Sequence, residues 1–364
     1  MIGRTLSLYI SLRFVQILVS MLLGLAFLII TVDFVDQLRR AAELKEVSLW
    51  QLYSISLLRA PIFVERVFPF ACLFAAMMTL TQLNNKMELA VIRSAGVSAW
   101  QFLKPILVSA ALVGILVAVA YNPLAIAAFK MSSYIQAKIF SEDSNFLSNK
   151  KGGYWLKEID NEGGSVVLNA LQTRKLGQYL DSVKLIKISR TGDITMRVDA
   201  MHAIHQGANW LLVDATVTDP DGNIRKEDSL AMPTRLSKDD LLGIGAKPEE
   251  TPFWSLLETA EKVEKAGTNG KPYFVQYHSL TALPLFLVAM VLVAATVCLR
   301  FVRFGQTGRM ILGGILCGFV LYIVTNLVSA LGSNGVIPPA FAAWSPGLVA
   351  ILFGISVLLH QEDG

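Results

Sequence analysis

Leu6 to Val32 is an almost unbroken apolar run, interrupted by single polar residues and by Arg13 near its start. A chain crosses the ~30 Å hydrocarbon core of a bilayer as a helix of about 20 mostly apolar residues, because nothing in that core satisfies an open backbone. The run is long enough, with tilt or overhang to spare. It exceeds the apolar core of a signal peptide, and no small-x-small cleavage site closes it, so it is expected to remain in place. Comparable runs follow at Val67 to Leu83, Ile106 to Ala128, Leu280 to Val302, Met310 to Leu331 and Phe341 to Leu359. Six spans are expected, three on each side of a polar middle. Of 364 residues, 54% are hydrophobic and 16% charged, against roughly 25% charged in soluble domains. That balance argues against a soluble enzyme, a disordered chain and a nucleic-acid binder. The net charge of +4 fits basic inner loops better than a polyanion-binding surface.

Lys and Arg in short loops set orientation. Arg4 and Arg13 lie at the N-terminal end. Lys86, Arg93 and Lys104 lie between the second and third runs, and Arg300, Arg303 and Arg309 between the fourth and fifth. These segments are expected to be cytoplasmic. The intervening loops are mixed (Asp33 to Gln51) or uncharged (Gly332 to Pro339). Both termini are therefore expected inside, and the middle outside.

The expected organisation is an N-terminal membrane half over 1–140, an outer domain over 141–250, a helix and connector over 251–275, and a C-terminal membrane half over 276–364. Within the outer domain, apolar and polar residues alternate through Tyr154 to Ile159, Ser165 to Leu171 and Val183 to Ile188, the period of a half-buried strand. Turn signals stand at Asn161-Glu162-Gly163-Gly164, Thr191-Gly192-Asp193 and Asp219-Pro220-Asp221-Gly222. Ser182 to Arg190 with Ile194 to Val198, and Trp210 to Val217 with Ile224 to Asp228, read as hairpins. An all-β, jelly-roll-like open sandwich is expected. Trp254 to Lys265 has helical periodicity, with Trp254, Leu257, Ala260 and Val263 on one face. Gly267 and Gly270 are expected to end it.

Catalytic signatures are missing from the sequence. Gly305-Gln306-Thr307-Gly308-Arg309 lacks the Gly-Lys-Ser/Thr end of a phosphate-cradling loop. His202 and His205, three apart in an expected strand, face opposite ways. Cys72, Cys298 and Cys317 all lie in apolar runs, so no disulfide framework or CxxC metal site is available. No metal and no cofactor is expected, and the chain reads as no enzyme.

Two constellations carry more. The inner segment Asn85 to Ser98 reads as a short charged amphipathic helix over 85–97. Met87, Val91 and Ser94-Ala95 lie along one face, and Gly96 is the stop. It is either an interfacial helix on the headgroups or a coupling helix docked into a cytoplasmic ATPase. Basic residues also gather at the outer ends of the helices: Arg39, Arg40, Arg59, Arg66 and Lys130. They either snorkel and pair locally with Asp36, Glu43 or Glu65, or they recognise an anionic lipid headgroup. Arg suits phosphate because its planar fork donates two parallel hydrogen bonds.

Three segments carry a family resemblance: Phe34-Val35-Asp36-Gln37-Leu38-Arg39-Arg40, the run from Met87 to Ser98, and Gly335-Val336-Ile337-Pro338-Pro339. Together they resemble the LptF/LptG permeases of the lipopolysaccharide-export ABC transporter of Gram-negative bacteria. The first segment is more similar to the LptG branch. The resemblance covers the whole chain. It implies a heterodimer with an LptF-like permease, a cytoplasmic LptB-like ATPase dimer that hydrolyses the ATP, an LptC-like single-span partner, and residence in the bacterial inner membrane. It further implies that lipopolysaccharide is drawn from the outer leaflet and passed to a periplasmic β-domain bridge. Arg39, Arg40 and Lys130 match the family's phosphate-facing bases. Glu88, with Arg93 and Gly96 further along, matches the coupling helix. Asp33 stands where a relative can carry a base, and Ser133 where a second base can follow Lys130. Both departures imply a weaker phosphate site or one shaped for a differently charged lipid A.

Two alternatives compete. Lipoprotein-releasing or mechanotransmitting ABC permeases resemble four-span chains with the large outer domain after the first span, whereas here it follows the third. A non-transporting envelope assembly scaffold would need neither a coupling helix nor a basic rim.

Overall fold

The computed structural model describes residues 4–42, 47–94, 96–140, 154–159, 164–174, 179–234, 247–265, 269–299 and 307–363. Arg300, Arg303, the run from Gly305 to Gln306, the turn at Asn161 to Gly163, and Gly267 lie outside the described residues, as do the side chains of Arg93 and Arg309.

Helix α1 spans Arg4–Ala41, α2 Leu49–Asn85, α3 Glu88–Ser94, and α4 Ala99–Leu116. A π-turn at Val117–Tyr121 then joins α4 to α5, Asn122–Phe140. After the sheet come α6 (Leu256–Lys265), α7 (Lys271–Cys298), α8 (Thr307–Ser333) and α9 (Pro339–Asp363). Among the described residues, six helices are long and apolar enough to cross a membrane, α4 to Gln136 counting as one. The chain divides into two compact units. One holds Met1–Gln136, Pro252–Leu256 and Lys271–Gly364; the other holds Ala137–Thr251 and Leu257–Gly270.

In the membrane unit, α2 and α7 are the most buried spans, while α1 and α8 expose nearly all of theirs. Ala71, Cys72, Ala75 and Ala76 of α2 pack in one core with Phe102 and Ile106 of α4 and with Met290, Ala294 and Ala295 of α7. Small residues there let backbones approach, the main source of packing where lipid is as apolar as the helix surface. A Cβ on Gly114 of α4 would stand 2.5 Å from Pro284 Cα of α7. The prolines inside α2, α4, α7 and α9 each lack the N–H that would bond the carbonyl four residues back. Around two of them side chains add bonds to the proline's own carbonyl: Ser109 Oγ donates to Pro105 O at 2.8 Å, and Tyr121 Oη to Pro61 O at 3.0 Å. Helix α2 begins well before the expected second run, so Arg59, Glu65 and Arg66 lie on the spanning helix itself.

The second unit carries one antiparallel sheet in the order β1-β2-β3-β4-β5-β6. The strands are β1 Tyr154–Ile159, β2 Ser165–Arg174, β3 Tyr179–Ile188, β4 Ile194–Gln206, β5 Asn209–Thr218 and β6 Ile224–Pro233. The sheet is open, as the sequence pattern suggested. Its buried face joins Leu168, Leu180, Val183, Leu185, Val198, Ala203, Trp210, Leu212 and Val217. Leu180 and Val183 have opposite parity and so should face opposite ways. Ser182 resolves the conflict: it takes φ 51°, and the β2–β3 register skips it between Gln172↔Asp181 and Ala170↔Val183. Asp214, at φ 53°, does the same between Leu212 and Ala215. The register is the same on both sides of each, so no residue is inserted; the left-handed residue itself turns the chain and keeps the apolar set on one face. Lys187 pairs with Val166 in register and shares Leu185's face. One sequence expectation changes. On α6, the buried residues are Leu256, Ala260 and Val263, while Trp254 and Leu257 are exposed. His202 is exposed and His205 buried, on opposite faces as their spacing requires.

Candidate functional site

Helix α3 is short and held by its first residues. Met87 precedes it with φ 59°, and Gly96 follows with φ 78°, a conformation that costs a residue with a Cβ but not glycine. Ser98 then caps α4, its hydroxyl accepting from Gln101 N at 3.3 Å. Leu89 is buried in the membrane core. Met87 and Val91 are 56% and 66% exposed, so α3 turns an apolar face outward while it is anchored behind.

The anchor is Glu88. It accepts from Tyr9 Oη at 3.2 Å and lies 3.6 Å from Arg13 Nη1. Arg13 also donates to Tyr9 Oη, one turn back on the same face of α1, and through Nη2 to Gln82 Oε1 of α2 at 3.0 Å. One carboxylate therefore closes a polar knot among α1, α2 and α3. Sequence reasoning used Arg13 only for orientation and passed over Tyr9 and Gln82. The available signal was a lone charge inside an apolar run, which needs a partner.

The basic residues expected at the outer helix ends divide into two groups. Arg39 Nη2 and Arg40 Nη2 each approach Asp36 at 2.8 Å, one on each carboxylate oxygen. Both Arg side chains are exposed, Arg39 by 82%, so the pair faces outward with one shared counter-charge. Arg59 Nη1 stands 3.5 Å from Asp33 Oδ1 and stacks over Phe63 and Phe129, each at 5.9 Å. Arg66 lies over Phe63 at 5.8 Å. Lys130 follows Phe129 and is exposed. Arg59, Arg66 and the start of the Phe129-Lys130 step are thus gathered through two aromatic rings, whereas Arg39 and Arg40 form their own cluster with Asp36. Asp33 lowers the positive charge at Arg59.

Residues 8–360 match the family model described as lipopolysaccharide export system permease LptF/LptG. The chain belongs to the LptF/LptG permease family. Similar proteins include the lipopolysaccharide export system permease protein LptG of Haemophilus influenzae, 22% identical with 99% of each chain covered. The LptG of Escherichia coli K12 is 23% identical, with 91% of each chain covered. As a family permease it is a transport protein rather than an enzyme, with multiple apolar helices and a β-domain.

Proposed function

We propose that the chain is the LptG-type subunit of an ATP-driven exporter that draws lipopolysaccharide from the outer leaflet of the inner membrane and passes it to a periplasmic β-domain bridge. The partners are an LptF-like permease, an LptB-like ATPase dimer and an LptC-like single-span protein. Both termini and α3 are cytoplasmic, and the β-domain is periplasmic, in keeping with the Lys and Arg bias of the loops. The boundaries fall near 140, 250 and 275.

The observation that carries this reading is α3: a helix in a basic inner loop, fastened by Glu88 and Leu89, with Met87 and Val91 turned outward. An interfacial anchor would bury that apolar face in lipid; a coupling helix offers it to the ATPase. Arg93 and Gly96 complete the segment. The carboxylate of Glu88 sets the helix's position, and Met87 and Val91 supply contact.

At the outer end, Arg39, Arg40, Arg59, Arg66 and Lys130 receive the anionic headgroup. Charge-assisted bonds from guanidinium to phosphate are roughly twice as strong as neutral ones. The phosphates compete with Asp36 and Asp33 for those donors, which suits a lipid A of reduced negative charge. Acyl chains cannot cross water unshielded, at ~0.8 kcal/mol per exposed CH₂, and an apolar sheet face gives them cover.

The test is copurification. Met87→Asp with Val91→Asp should leave the permease in the membrane and abolish recovery of the ATPase, and release of lipopolysaccharide from proteoliposomes should stop. Undiminished ATPase recovery would assign α3 to the lipid surface.

A further inference from the structure

Asn122 is 1% exposed and stands where the π-turn Val117–Tyr121 passes into α5. Both ends of its amide are used. Nδ2 donates to Glu65 Oε1 of α2 at 2.8 Å, and Oδ1 accepts from the backbone N–H of Phe253 at 2.9 Å. Three residues earlier, Val119 O accepts from Trp254 Nε1 at 3.2 Å. The Phe253 ring stacks on Tyr277 of α7, centroids 5.5 Å apart and planes 8° from parallel. All these residues belong to the membrane unit. Between 137 and 270, only Pro252–Leu256 does. The polypeptide of the β-unit therefore returns to the membrane unit once, between the sheet and α6, and at that point it is held by the π-turn.

A π-turn widens the helix by one residue and frees carbonyls to accept from outside; such turns recur at functional sites. If the turn reverted to regular α-helix, every later residue would rotate, Val119 O would return to the helix, and Asn122 would leave both partners. A switch between the two forms would break and remake the bonds to Phe253 and Trp254, the property that lets a segment carry coupling.

We infer that Asn122 is a positioning residue that clamps the π-turn of the third span to Phe253 and Trp254, so that movement of that span in the transport cycle reaches the polypeptide of the β-domain. The inference rests on the export reading above and adds a residue to it. Asn122 is buried, and it links the two chain segments.

The experiment uses the full complex in proteoliposomes and reads ATP hydrolysed per lipopolysaccharide released. Partial misfolding lowers both rates together and leaves this ratio alone. Asn122→Ala should raise the ratio about tenfold, within the range of known couplings. An unchanged ratio, whether or not the rates fall, overturns the clamp. If Asn122→Ala fails to assemble, Trp254→Phe decides, since it keeps an aromatic side chain and removes the donor to Val119 O. A ratio raised several-fold supports the clamp, and an unchanged one overturns it. A wild-type complex that hydrolyses ATP and releases no lipid overturns the export reading and the clamp with it, so the wild-type control tells the two failures apart.

Discussion

The Glu88 carboxylate lies 3.6 Å from the Arg13 guanidinium and takes a hydrogen bond from Tyr9 at 3.2 Å, so α3 is fastened to the first spanning helix as well as to α2. A carboxylate committed to partners in its own chain acts on an ATPase chiefly by placing the helix. Arg13→Ala should then reproduce Glu88→Ala: each lowers ATPase recovery or uncouples hydrolysis from export. The double variant should be no worse than either single one, the signature of residues that act as a pair. Glu88→Gln keeps the acceptor for Tyr9 and should lose less. If Arg13→Ala recovers the ATPase like wild type while Glu88→Ala does not, Glu88 meets the ATPase directly.

Arg39 and Arg40 share Asp36 at 2.8 Å each. Exposed pairs of this kind add only ~0–1 kcal/mol to stability, so Arg39→Ala with Arg40→Ala should leave expression and assembly near normal. Lipid-stimulated hydrolysis and release should fall. Asp36→Asn removes the competing carboxylate and frees both guanidinium groups, so binding of a phosphorylated lipid A should tighten by a few-fold. Loss of the complex on Arg removal would make the cluster structural.

Gly114 tests the helix packing. Its Cβ would meet the Pro284 backbone at 2.5 Å, and a backbone cannot swing aside as a side chain can. Gly114→Ala should force α4 and α7 apart and cost ~1–3 kcal/mol, the usual range for overpacking. A lowered unfolding temperature in detergent checks this. Gly24 has nothing within 4 Å, and Gly24→Ala should be neutral or slightly stabilising.

The six spans were legible because hydropathy over about 20 residues reports directly on the bilayer. The strand positions were legible too, but not every face. Leu185 and Lys187 are two apart and share a face, and the apolar set changes parity at Ser182 and Asp214, where a single left-handed residue resets the alternation. Period-2 reading has no means to see that. In the candidate site, Arg39, Arg40 and Glu88 stood out as charges, and Asp36 as a local partner for the two arginines, but the partners of Glu88 within α1 did not. Tyr9 and Arg13 meet Glu88 only because α1 and α2 run side by side, a relation that no local pattern encodes. Asn122 was hidden for the same reason.

The left-handed strand residues give a prediction of their own. Ser182 holds φ 51°, where a β-branched side chain is strained and glycine is not. Ser182→Val should destabilise the β-domain by ~1–2 kcal/mol, and Ser182→Gly should be neutral or mildly stabilising. Limited proteolysis of the β-domain as temperature rises would rank the three.

The sheet's buried face supplies the last test. Leu168, Leu185, Trp210 and Met232 line a small cavity together with Glu158 of β1 and Pro233 of β6. It has no room for an acyl chain as it stands. The two edge strands of the open sheet, β1 and β6, approach each other beside it, and Thr234 Oγ1 donates to Glu158 Oε2 at 2.8 Å. A lipid chain reaching the apolar face must therefore part this seam. Photo-crosslinkers at Leu185 and Leu212 should capture lipopolysaccharide only with ATP, and one at exposed Lys184 should capture far less. Glu158→Cys with Thr234→Cys, oxidised to a disulfide, should abolish capture at Leu185, and reduction should restore it. Equal capture at Lys184, or capture at Leu185 through a locked seam, would mean that the lipid travels over the outside of the sheet.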